Sequence, residues 1–320
     1  MGEFDDSRRG SRAVVPILAG VLAAALSLLL LGHRALPGSA GSLLDSALPW
    51  LAAPSVLLLL VTIPARRAGV LAASLVPTVI WAVLFAPTLT DHAQSGERDL
   101  RVASLNLGKA TPGEALPPLL AAQPDVLVLQ EITLDNRDAV TATVAAAFPY
   151  RTETGTVAIL SRFPLSATEP VDIRIGWTRA IATTVATAGG PVRVYAAHLA
   201  SIRADMTADR DRTLAALAAA AHADPSPRLV LAGDLNTATT DRQFAAFTPL
   251  RDSQQEAGAG FGFTWPAALP VVRPDHILVR GLATRRSWVL RVPGSDHRAV
   301  LADVDTTAPP PAAEPSGTGQ

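Results

Sequence analysis

The 320-residue sequence contains no cysteine. A disulfide framework, a zinc–thiolate centre and a cysteine nucleophile are therefore excluded, although this absence does not report the compartment. A surplus of positive charge is missing too. Formal net charge is -1 for the whole chain, and residues 97–305 alone hold 21 Arg plus Lys against 22 Asp plus Glu. Sequence-independent nucleic-acid binding relies on a basic face that releases counterions. The balance of charge thus disfavours DNA or RNA as the natural partner. The chain also lacks a Walker-type or dinucleotide-binding glycine loop, and residues 97–305 contain no internal repeat.

Apolar residues are abundant, at 49% of the chain with a mean hydropathy of +0.28. The excess lies before residue 90. Residues 13–31, 46–63 and 68–86 are apolar stretches of about 18 to 20 residues, the length that crosses a ~30 Å hydrocarbon core. Pro16, Pro54 and Pro77 are tolerated in such spans. A cleaved signal peptide ending near Gly38-Ser39-Ala40 is the competing reading of the first stretch, and the two further spans argue against it. Arg8, Arg9 and Arg12 precede the first span and Arg66-Arg67 separate the second from the third. The positive-inside rule then predicts a cytoplasmic N-terminus at 1–12, a three-helix transmembrane region at 13–86 and an extracytoplasmic remainder. Residues 87–98 read as a linker, 99–305 as a folded domain, and the Pro/Ala/Gly/Ser/Thr-rich 306–320 as a disordered tail.

Within 99–305, short runs rich in Val, Leu and Ile predict strands at 100–105, 125–130, 156–160, 180–187, 191–197, 228–233, 276–279 and 299–304. Helices are expected at Pro112–Ala122, Asn136–Phe148 and Met206–His222. Strands interspersed with helices, some clustered in pairs, point to two mixed sheets packed face to face with helices outside.

Polar residues recur where these strands end. Asn106 and Glu131 close the first two, His198 follows 191–197, and Asp234 and Asn236 follow 228–233. Asp275-His276 and Asp296-His297 stand before the last two. Strand ends on a packed sheet can aim side chains at one point in solvent, and oxygen ligands beside histidines suit a hard divalent cation in hydrolysis. Asp234 and Asn236, two apart on an extended backbone, face the same side. Arg162 and Arg179 are candidate phosphate contacts, with surface ion pairing as the competing reading. Phe263-Thr-Trp265 reads as packing, with a place on the rim of the site as the competing reading, and His276 as a strand filler or a site residue.

Taken in order, Asn106-Leu, Gln-Glu131, Ser-Arg162-x-Pro, His198-Leu, Gly-Asp234-Leu-Asn236, Asp275-His-Ile and Ser-Asp296-His297-Arg-Ala-Val resemble the endonuclease/exonuclease/phosphatase (DNase I-like) superfamily over about residues 99–305. The three leading spans further resemble membrane-tethered bacterial members, among them a teicoplanin-resistance membrane protein. This resemblance implies an α+β fold, a four-layer α/β/β/α sandwich, and a hydrolase acting on phosphate esters with Mg²⁺ or Mn²⁺. It implies Asn106, Glu131 and Asp296 as metal ligands and His198, Asp234, Asn236, Asp275 and His297 as catalytic residues. In that scheme Asp234 activates the water, Asn236 donates to the transition state, Asp275 orients His297 against the scissile phosphate, and His198 bonds the phosphate or the leaving oxygen. Membrane tethering favours a lipid-linked phosphate or pyrophosphate, with an extracytoplasmic nuclease as the alternative. Nothing in the sequence identifies a protein partner.

Overall fold

The computed structural model describes residues 3–201 and 207–307. The expected tail beyond residue 307 and the expected helix start at Met206 lie outside the described residues. Contacts divide the chain into two units, Met1–Thr90 with Thr240–Arg242, and Asp91–Thr239 with Gln243–Gln320.

The first unit carries helices α1 (Glu3–Gly32), α2 (Gly38–Ala47), α3 (Ala52–Thr62) and α4 (Ala68–Leu89). Among the described residues, three helices are long and apolar enough to cross a membrane: Pro16–Ala35, Gly38–Thr62 and Ala68–Leu89. The second begins eight residues earlier than the expected 46–63. A 3₁₀ segment at Leu48–Leu51 joins α2 to α3, and Pro49 sits in its first turn, where a missing N–H costs nothing. Large apolar side chains such as Leu28 and Val83 face outward, the surface a helix presents to lipid rather than to water.

The second unit contains twelve strands among the described residues. These are β1 (Leu100–Asn106), β2 (Val126–Gln130), β3 (Tyr150–Thr154), β4 (Val157–Ser161), β5 (Leu165–Pro170) and β6 (Ala180–Thr187). The later six are β7 (Gly190–His198), β8 (Leu229–Asp234), β9 (Arg251–Asp252), β10 (Asp275–Arg280), β11 (Ala283–Leu290) and β12 (Ala299–Asp305). Helices α5 (Pro112–Ala121), α6 (Arg137–Val144), α7 (Thr207–Ala223) and the short α8 (Ser253–Ala257) intervene. One sheet runs β11-β12-β1-β2-β4-β3 and the other β5-β6-β7-β8-β10-β9.

Alternation along each central strand explains the layering. Val126 and Val128 of β2 pack into a core shared with Val192, Val194 and Val230 of the other sheet. Their neighbours Leu127 and Leu129 point the opposite way, onto Leu116 and Leu119 of α5 and Val140 of α6. In the second sheet Tyr195, Leu229 and Leu231 meet Leu214 and Leu217 of α7. Strands buried on both faces read as continuous apolar runs. The result is the expected four-layer α/β/β/α sandwich.

Four strands escaped the sequence reading: β3, β5, β9 and β11. Each lies at an outer edge of its sheet. The expected helix at Asn136–Phe148 is shorter, with α6 ending at Val144.

One buried polar knot holds the second sheet. Arg273 Nη2 donates to both oxygens of Asp252, at 2.7 and 2.9 Å. His276 Nδ1 lies 2.8 Å from Asp252 Oδ2, and its Nε2 lies 2.8 Å from the Thr237 carbonyl oxygen. His276 is thus a structural residue, with neither ring nitrogen free. Burial works against the Asp252 charge, but Arg273 and His276 outweigh it and hold its carboxyl well below the usual range. Asp252 also caps α8, accepting from the N–H groups of Gln254 and Gln255. Asp252→Ala leaves a buried cation unpaired and is expected to cost about 3–5 kcal/mol, read as a lower midpoint in denaturant.

Candidate active site

Strand register builds the site. β7 and β8 are parallel with His198 opposite Asp234, and β8 and β10 are antiparallel with Asp234 opposite Asp275. Three side chains from distant stretches of sequence therefore share one row at the sheet's end. Gly233 permits this row: its φ is +152°, and a Cβ there would strike the Ala197 carbonyl. In the other sheet Asn106 pairs with Gln130, which brings Glu131 beside it. The strand ends at Gln130, as expected, because Glu131 turns to a φ of +60°.

One amide bridges carboxylates from both sheets. Asn106 Nδ2 donates to Glu131 Oε1 at 3.1 Å and to Asp234 Oδ2 at 2.9 Å, while Asn106 Oδ1 accepts from the Gly108 N–H. His198 Nε2 stands 3.6 Å from Asp234 Oδ2 and 3.9 Å from Glu131 Oε1. On the other side His297 Nε2 is 3.9 Å from Asp234 Oδ2. His297 Nδ1 bonds Asp275 Oδ2 at 2.9 Å, and that same oxygen accepts from Thr264 Oγ1 at 2.5 Å. Asn236 donates its backbone N–H to Asp234 Oδ1 at 3.0 Å and one side-chain N–H to the Leu199 carbonyl at 3.1 Å.

Seven of the eight expected residues are thus linked by direct contacts. The eighth, Asp296, is exposed at the edge. Its carboxylate lies so close to Gly108 that any side chain at 108 would strike it, and its charge reaches His297. Glu131 is partly open as well, with 42% of its side chain exposed to solvent.

The two imidazoles are driven apart. Burial pushes His198 down to about 4, with Arg179 and His297 adding to the effect and Asp234 opposing it. For His297 burial also disfavours the charge, but Asp275, Asp234 and Asp296 prevail and raise it to about 10. At neutral pH one ring is neutral and the other cationic. Such a split marks acid–base partners.

A divalent cation fits the donor set. Ligand atoms of Asp234, Asp275 and His297 lie within 4.8 Å of one another. In that trio Asp275 Oδ2 already serves His297 and Thr264, while its Oδ1 is buried without a partner. On the other side the Asn106 NH₂ bridges the carboxylates of Glu131 and Asp234, and Glu131 is open to solvent. Among the described residues the ion-pair partners of these two carboxylates are His198 and His297, with no Arg or Lys in direct contact.

The two arginines separate clearly. Arg162 pairs with Asp125 at 3.6 Å. Arg179 is half-buried, and burial lowers its affinity for the proton while Asp234 and Glu131 support the charge. The sequence reading left Thr264 and Ser295 unassigned. Ser295 Oγ donates to the Asn106 carbonyl at 2.7 Å and accepts from the His297 N–H at 3.0 Å, so it ties the end of β1 to the β11–β12 connection that carries His297. Its place beside Asp296-His297 was a usable signal. Thr264 lies in a loop with no such mark.

The profile of the Endonuclease/Exonuclease/phosphatase family matches residues 103–297, more than half of the chain. The chain belongs to that family. Its members hydrolyse phosphoester bonds, generally with a divalent metal. Among curated proteins none matches the chain. Solved structures share the fold at low identity. TDP2 of D. rerio, complexed with a single-strand DNA product, is 19% identical with a TM-score of 0.56, over 64% of this chain and 98% of that one. A functionally unknown conserved protein of Enterococcus faecalis V583 is 16% identical with a TM-score of 0.54, over 64% and 99%. An endonuclease/exonuclease/phosphatase of Bacteroides vulgatus is 15% identical with a TM-score of 0.54, over 65% and 99%.

Proposed function

We propose that this protein is a membrane-anchored phosphoesterase that hydrolyses phosphate ester or pyrophosphate bonds of a lipid-linked substrate on the extracytoplasmic side. The observation that carries the catalytic part is the convergence of two imidazoles on the Asp234 carboxylate, with His198 Nε2 at 3.6 Å and His297 Nε2 at 3.9 Å from Oδ2. Glu131 would hold a Mg²⁺ or Mn²⁺ ion, with Asp296 nearby and with Asn106 once its amide turns its oxygen from the Gly108 N–H towards Glu131, and the ion would supply charge that shields the phosphate oxygens. Asp234, fixed by Asn106 and the Asn236 N–H, orients the attacking water and takes its proton. His297, steadied by Asp275, donates to a non-bridging phosphate oxygen, and the remaining side-chain N–H of Asn236 helps bind the pentavalent transition state. Neutral His198 bonds the departing oxygen, and Arg179 adds a second positive charge for the phosphate.

The lipid part rests on the three apolar helices and on the balanced charge of residues 97–305. The orientation rests on Arg8, Arg9, Arg12, Arg66 and Arg67. A nuclease is the second reading, favoured by the likeness to a fold that holds a DNA product in the D. rerio structure. The full-length protein in detergent, assayed with and without EDTA, separates them. Turnover of phospholipids or polyprenyl pyrophosphate is expected, abolished by EDTA and restored by Mg²⁺ or Mn²⁺. Cleavage restricted to DNA or RNA and falling steeply with salt would instead establish the nuclease.

A further inference from the structure

Asn236 stands in the left-handed region, with φ at +46°, a conformation that asparagine tolerates and that its surroundings must hold. The side chain leaves from that backbone, so the aim of its amide depends on what grips the peptide on either side. On one side Asp234 Oδ1 takes the Asn236 N–H at 3.0 Å. On the other, Arg210 of α7 donates from Nη1 to the Asn236 carbonyl at 3.4 Å and to Thr237 Oγ1 at 3.2 Å. Thr237 is fixed in turn: its Oγ1 donates to the Leu235 carbonyl at 2.7 Å, and its own carbonyl meets His276 Nε2 at 2.8 Å.

The far support of the amide runs to the same helix. Asn236 Nδ2 donates to the Leu199 carbonyl at 3.1 Å, and the next residue, Ala200, donates its N–H to Thr213 Oγ1 at 3.4 Å. Thr213 Oγ1 itself donates to the Arg210 carbonyl at 2.9 Å. One turn of α7 therefore touches both strand-end segments between which the Asn236 side chain is slung. Arg210 is fully buried, the largest side chain so placed among the described residues. Burying a guanidinium is costly unless its donors are used, and an aliphatic side chain would fill the space without that cost. Arg210 Nε bonds Asp211 Oδ1 at 2.7 Å, a carboxylate 31% exposed whose other oxygen accepts from Gln243 Nε2 at 3.3 Å. The charge is thus balanced at Nε, and Nη1 is committed to the Asn236–Thr237 peptide.

We propose that Arg210 is a positioning residue for the hydrolysis: it fixes the Asn236 peptide in its left-handed turn and so aims the remaining amide N–H at the reacting phosphate. The proposal rests on the role given to Asn236 above and adds the group that sets its geometry. A displacement of about 1 Å in a reacting group costs up to about 10²-fold in rate, so a buried cation that touches only the backbone of Asn236 can still govern turnover.

The test is a double-substitution cycle on the full-length protein in detergent, with bis(p-nitrophenyl) phosphate and saturating Mg²⁺. Asn236→Ala alone is expected to lower kcat about 10²-fold. Arg210→Met, which keeps an unbranched chain in the buried slot, is expected to lower kcat about tenfold with KM within about twofold, and Arg210→Lys to recover part of the loss. Added to Asn236→Ala, Arg210→Met should cost less than about twofold more, because the amide it aims is gone. Thr237→Val, which removes the hydroxyl that accepts from Nη1, is expected to show the same dependence and carries the test where Arg210→Met does not fold. Equal losses of kcat in both backgrounds would make Arg210 a support of the fold alone and overturn the proposal, as would an unchanged kcat in folded Arg210→Met. An Asn236→Ala protein with wild-type kcat would instead overturn the role of Asn236 itself.

Discussion

Asp234→Asn is expected to lower kcat by about 10²–10⁴-fold while the fold persists. The substitution keeps shape and leaves the backbone pairing of β8 with β7 and β10 untouched. An amide oxygen can still accept from the Asn236 N–H, which now meets Asp234 Oδ1 at 3.0 Å. The other oxygen is where the change bites. Asp234 Oδ2 receives the Asn106 amide at 2.9 Å and faces His198 and His297 at 3.6 and 3.9 Å. An Asn NH₂ in that place would confront the Asn106 NH₂ and remove a negative charge that helps keep His297 cationic. Steady-state turnover and far-UV circular dichroism together give the readout. Near-normal turnover in a folded variant would remove Asp234 from the chemistry.

Asp275→Asn should act through pH. In the wild type, His297 remains an imidazolium up to about 10, because the neighbouring carboxylates overcome its burial. An amide oxygen can still hold Nδ1–H but withdraws the nearest charge, so the alkaline limb of kcat/KM is expected to slide from about 10 towards the ordinary 6.5. At pH 9 the variant should fall about 10²–10⁴-fold below wild type, with a much smaller gap at pH 5.5. Stability follows the same sign. A raised folded-state value makes a contribution fully present below 6.5 and lost as pH rises through 10. Profiles measured at saturating metal with coincident limbs would show that His297 does not act in its charged form.

The central strands were legible because both their faces are buried. β2, β4, β8, β10 and β12 carry unbroken runs of three or four apolar residues, and β1, β6 and β7 are apolar apart from one or two interruptions such as Arg101 and Arg193. The four that escaped notice are the sheet margins, where one side of the backbone has no partner strand. β3 reads Tyr-Arg-Thr-Glu-Thr and β11 contains Arg285-Arg286, the polar dressing that discourages pairing with another chain. Such segments look like loops because solvent selects their side chains.

In the candidate site, the eight strand-end residues stood out because a polar group beside an apolar run, before or after it, is conspicuous. Thr264 did not, since its role comes from a loop folding back on Asp275 from eleven residues earlier. Arg162 and Arg179 were indistinguishable as sequence. Only the β2–β4 pairing, which sets Arg162 beside Asp125, and the β6–β7 pairing, which sets Arg179 next to His198, separate them.

His198, Asp234 and Asp275 take their mutual spacing from backbone ladder bonds, and no loop determines it. Segments that leave those strand tips can therefore lengthen, shorten or change composition without moving the reacting groups. Selectivity can drift across generations in this architecture while its hydrolytic apparatus stays where it is.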